Sequence, residues 1–64
     1  MAHRRNIEGQ ELGVKLVSER HPVEAERVAY YVASPRHPSE RPRFDSRDDA
    51  LAYYHAEIAR VRAA

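Results

Sequence analysis

Four histidines, at positions 3, 21, 37 and 55, and three aspartates, at 45, 48 and 49, are the side chains best suited to metal or acid–base chemistry. No two of the histidines stand at the i, i+3 or i+4 spacing that sets two ligands on one helical face. His55, between Tyr54 and Glu57 on a helix shoulder, reads as a surface residue. His3 stands third from the amino terminus, so amine, two amide nitrogens and imidazole could form a square-planar set for copper or nickel. Methionine before alanine is usually removed, which breaks that arrangement. The aspartates are explained by helix capping and the helix dipole. The two glycines are isolated, so there is no phosphate-cradling loop. No serine has the strand–turn–helix setting of a nucleophile, and the absence of cysteine excludes disulfides and thiolate zinc sites. These residues give no catalytic group, no metal site and no cofactor, and the chain is expected not to be an enzyme.

The elements that position the remaining side chains must come from a short chain. Sixty-four residues form one domain at most, and such a chain buries only ~60% of its unfolded surface. Small domains usually need a disulfide, a metal or a partner chain to compensate. No apolar run approaches the ~18 residues of a membrane span, and no signal-peptide core opens the sequence. The expectation is a soluble, cytoplasmic protein with no membrane partner. A net charge of +1 exerts no global pull on nucleic acid.

Residues 1–11, MAHRRNIEGQE, are polar and lack an apolar period, so they read as a flexible amino-terminal arm ahead of a single domain over 12–64. In LGVKLVSE, Leu12, Val14, Leu16 and Ser18 fall on one side of an extended chain, with Gly13, Lys15, Val17 and Glu19 on the other, as in a strand. Residues 23–34 are open to two readings. Pro22 followed by VEAE would start a helix well, whereas Val28, Tyr30 and Val32 alternate with Ala29, Tyr31 and Ala33. The second favours a strand from about Arg27 to Ser34. Pro35, Pro38 and Pro42 then leave an extended loop with at most a short edge strand at RPRF.

Ser46 followed by Asp49 forms the aspartate version of a capping box. Asp45, Asp48 and Asp49 lie at the positive end of the helix dipole, and Arg60 and Arg62 at the negative end. A helix over 47–62 follows. At about 100° per residue, Ala50, Leu51, Tyr54, Ile58 and Val61 share one arc, which should cover a sheet. The fold class is therefore α+β: a small antiparallel two- or three-stranded sheet followed by one C-terminal amphipathic helix, ββα or βββα.

The opposite side of that helix carries Ala52, Ala56, Ala59 and Ala63, with Tyr53 beside them. Small residues at this spacing would let a second helix approach closely, so the row is a candidate dimer seam. Alanine is also the best helix former, which accounts for the row without a partner. Tyr31 is expected to point away from the core, and exposed tyrosines suit protein interfaces and base stacking.

Phe44 ending a strand, Ser46 capping the helix and Asp49–Ala50 opening it resemble the end of small βββα domains, such as the arm-type amino-terminal DNA-binding domain of tyrosine recombinases. The match covers the C-terminal third. The resemblance implies a sheet whose exposed face lies in a DNA major groove with the helix behind it. That face would here offer Lys15, Arg27 and Arg43, with Glu19 among them.

Two functions are thus expected. The first is a non-catalytic binding or accessory module acting through protein–protein contacts as a homodimer, by its helix seam or its sheet edge. The alternative is a nucleic-acid-binding protein with contacts from Arg4, Arg5, Lys15, Arg36, Arg41 and Arg43.

Overall fold

A computed structural model describes residues 4–24 and 26–64. His3, and with it the amino-terminal metal arrangement, lies outside the described residues. Four strands, β1 (Arg4–Glu11), β2 (Val14–Arg20), β3 (Val28–Ala33) and β4 (Arg43–Phe44), precede one helix, α1 (Arg47–Ala63). They form one antiparallel sheet in the order β1-β2-β3-β4. The α+β class is as expected, but the sheet has four strands rather than two or three.

The added strand is β1, which corrects the reading of residues 1–11 as an arm: Arg4 to Glu11 pair with β2 along their length. Its junction with β2 is a two-residue turn at Leu12–Gly13, where both residues have positive φ, 53° and 82°. Mirror-image turns of this hand match the right-handed twist of the flanking strands. Leu12, expected at the start of a strand, is therefore in the turn and largely exposed. Glu8 is an extra residue, since pairing jumps from Ile7↔Val17 to Gly9↔Leu16. Such a bulge bends a strand and resets which side chains face which way.

Val14, Leu16 and Ser18 of β2 and Val32 of β3 are buried beneath the helix, as the alternation predicts. Residues 28–33 form a strand and not a helix. Tyr30 is opposite Ser18 on one side and Phe44 on the other, so the row continues into β4. The amide of Val32 donates to the Pro42 carbonyl at 3.3 Å, which carries the pairing of β3 one step beyond the two residues of β4.

The helix begins at its cap, where the Asp49 amide donates to Ser46 Oγ at 3.4 Å. Ala50, Tyr54 and Ile58 are buried and Leu51 and Val61 partly so, which places the expected arc on the sheet. Burying an Ile58 or a Leu16 contributes ~2 kcal/mol each. Gly9 packs closely under the helix: a Cβ there would stand 3.0 Å from the Tyr54 hydroxyl oxygen, so a larger residue needs the Tyr54 ring to shift.

Candidate binding face

With the helix on one side, no helix among the described residues covers the other side of the sheet. Its side chains follow from the register, because residues directly opposite on neighbouring strands share a face. One row runs Ile7, Val17, Tyr31, Arg43 across all four strands. A second holds Gln10, Lys15 and Ala33, and a third Arg5, Glu19 and Ala29. Ile7 is 60% exposed, and Val17 and Tyr31 are half-buried. A shallow hollow of about 300 Å³ lies where the β3 and β4 ends of these rows meet the β2–β3 connection. Glu19, His21, Arg27, Ala29, Tyr31 and Arg43 line it.

Charge on this face is partly neutralised. Arg5 Nε donates to Glu19 Oε2 at 2.8 Å, Arg43 meets Asp45 at 3.3 Å, and Arg27 meets Glu24 at 3.4 Å. All three arginines are well exposed, and pairs of that kind hold their partners loosely. His21 serves the connection, its Nδ1 accepting from the amides of Val23 and Glu24 at 3.2 and 3.0 Å.

On the helix side a second polar centre sits beside the core. Glu57 has no exposed surface. Its carboxylate accepts from Ser34 Oγ at 2.8 Å, from Arg36 Nη1 at 3.2 and 3.0 Å, and from Arg60 Nη1 at 2.7 Å. The Arg60 bond does most to hold the Glu57 carboxyl below its ordinary pKa. Burial opposes it, and the Ser34 bond and the nearby charges of Arg36 and Arg60 add to it. Tyr54 is shifted the other way, raised first by burial and then by the charge of Glu11.

The six residues expected to contact nucleic acid separate into groups. Arg5, Lys15 and Arg43 share the open face, none opposite another in the register, with Arg27 at its hollow. Arg4 lies opposite Arg20 at the start of β1, and Arg41 is exposed on the β3–β4 loop. Arg36 is turned inward onto Glu57. In the candidate seam, Ala52, Ala59 and Ala63 are exposed and Ala56 is half-buried. Tyr53 does not belong with them: it packs against the core, its ring 5.3 Å from that of Phe44. Among the described residues no three histidines or carboxylates converge in a way that could hold a metal ion, and no helix is long and apolar enough to cross a membrane.

Glu57 was missed as a core residue although its helical position gives it away. At about 100° per residue it falls between Tyr53 and Ala50, on the sheet side of α1. A charged side chain is seldom fully buried unless paired, and its partners Ser34 and Arg36 come from a loop 23 and 21 residues away.

Comparison with protein-family models, curated proteins and solved structures finds no match to this chain.

Proposed function

We propose that the chain is a small, non-catalytic binding module that acts through protein–protein contacts and is itself a homodimer, with the bare side of the sheet as its working surface. The observation that carries this reading is the row Ile7, Val17, Tyr31. An apolar strip crossing three strands, with its outermost member 60% exposed, is costly in a chain of which 33% is charged, unless a partner covers it. Two polar side chains with acid–base character are engaged in holding the fold: Glu57 with Ser34, Arg36 and Arg60, and His21 with its own turn. Sedimentation equilibrium over a range of concentrations tests the reading. A mass rising to that of two chains by high micromolar concentration, and a weaker association for Ile7→Lys, are expected. A monomer throughout would contradict it.

A nucleic-acid role is the second reading, and it is favoured by Lys15, Arg5, Arg27 and Arg43, which share a face with Tyr31, Glu19 lying among them. An aromatic on a face that also carries several cations suits phosphates and an unstacked base. It also agrees with the major-groove sheet that the recombinase-like end of the chain implies. Retention on a DNA column should then fall steeply with salt, and loss of Lys15 and Arg43 should flatten that dependence. Failure to bind at low salt removes this reading.

A further inference from the structure

We infer that the homodimer forms by antiparallel pairing of β1 with β1 of a second copy, joining two sheets into one of eight strands about a two-fold axis at Ile7. This rests on the homodimer reading above and names its surface.

A sheet has two edges, and here they are unequal. β4 is two residues long and follows Pro42, whose nitrogen carries no hydrogen to donate. β1 is eight residues long, and among the described residues it has a strand on one side only. Its other side therefore presents a row of backbone donors and acceptors to whatever strand fits.

The order of charge along β1 selects its own copy. Arg4 and Arg5 stand at its start and Glu8 and Glu11 towards its end. A parallel neighbour would set Arg4 and Arg5 against themselves. An antiparallel neighbour sets the basic end of each strand against the acidic end of the other, and opposite charges directly across a pair stabilise it. Glu11 meets Arg62 of its own chain at 2.7 Å and Arg5 meets Glu19 at 2.8 Å, so a second copy's charges would join these exposed pairs rather than fill vacant ones.

The bulge then fixes the register. A two-fold axis perpendicular to a sheet requires that paired residues share a face and that the residue at the axis meet its own copy. Relative to β2, the side chains of Arg5, Ile7 and Gln10 are on the open face, and those of Arg4, Asn6, Gly9 and Glu11 on the helix face. Glu8 is the extra residue. With Ile7 at the axis and Glu8 looped past, Arg4 faces Glu11, Arg5 faces Gln10 and Asn6 faces Gly9, every pair on one side of the sheet. Without the bulge, Arg4 could not meet Glu11 in a symmetric pair, since seven intervening steps place them on opposite faces. Bulges and charges on an edge discourage strands in general, whereas an identical strand brings the matching bulge and the complementary order of charge. It also extends the exposed row without a break, from Tyr31 and Val17 through Ile7 to Ile7, Val17 and Tyr31 of the second copy.

A disulfide tests the geometry, because the chain has no cysteine. Residues directly opposite in antiparallel strands have Cα atoms ~4.5–5.5 Å apart, within the span of a disulfide. Ile7→Cys, equilibrated in a glutathione buffer, should become a covalent dimer, while Ala59→Cys on the outer side of α1 should not. Separately, Arg4→Glu should weaken the dimer at least tenfold, and Arg4→Glu combined with Glu11→Arg should recover it. A covalent dimer from Ala59→Cys and none from Ile7→Cys would overturn the β1 edge and leave the homodimer standing. A dimer that is indifferent to Arg4→Glu would also overturn the edge. A monomer by sedimentation, with neither cysteine cross-linking, would overturn both.

Discussion

Arg36 reaches from the β3–β4 loop to bring its Nη1 3.0 Å from Oε2 of Glu57, a carboxylate with no exposed surface on the sheet side of the helix. The contact ties a proline-rich loop to the centre of α1. Arg60, one turn further along, meets the same oxygen from the solvent side, and Ser34 completes the set from the end of β3.

Removing the carboxylate should be the most damaging polar substitution in the chain. Glu57→Ala is expected to cost on the order of 3 kcal/mol, the low end for breaking a buried ion pair, because both guanidiniums are part-exposed and can rehydrate. Glu57→Gln, which keeps the shape and an acceptor, should cost about 1–3 kcal/mol. Urea unfolding at neutral pH measures both.

The same group gives a signed pH dependence. The folded-state pKa of Glu57 lies below its ordinary 4.5, so its contribution is fully present above that value and is lost as pH falls through the folded-state pKa. Below pH 4.5 the unaltered protein should therefore lose stability more steeply than Glu57→Gln. Equal slopes for the two would mean that the carboxylate is not held as described.

Two positions on the β1–β2 hairpin test why its residues are what they are. Gly9→Ala should destabilise by about 1–3 kcal/mol, because the new methyl group displaces the buried Tyr54 ring. Leu12→Asn should stabilise by about 0.5–1 kcal/mol, since asparagine tolerates the left-handed backbone that Leu12 adopts at φ 53°.

At the helix, Ser46→Ala should cost about 0.5–1 kcal/mol for the lost cap, whose bond is long and exposed. Ile58→Ala should cost ~2–5 kcal/mol, and Leu51→Ala less, because Leu51 is only half-buried.

These expectations separate what was legible in the sequence from what was not. The helix declared itself through Ser46, the acidic first turn and the apolar arc, all of them local. β2 and β3 showed alternation because one side of each lies on the core. β1 showed none: as an edge strand with charges on both faces and a bulge at Glu8, it has no regular apolar period, and Gly9 makes its core contact by having no side chain. Tyr53 looked like interface because its partner, the Phe44 ring, comes from a strand only two residues long. Lys15 and Arg43 lie on the open face, as the alternation of their strands implies, but the apolar row between them depends on Ile7, whose strand carries no apolar period to mark it.

That two copies meet along β1 is tested most directly by nuclear Overhauser contacts between isotope-labelled and unlabelled chains mixed at high concentration. Intermolecular cross-peaks between the Ile7 methyl groups, and from Arg4 to Glu11, are the expected result. Cross-peaks from Ala59 and Ala63 in their place, or none at all while the mass remains that of one chain, would contradict it.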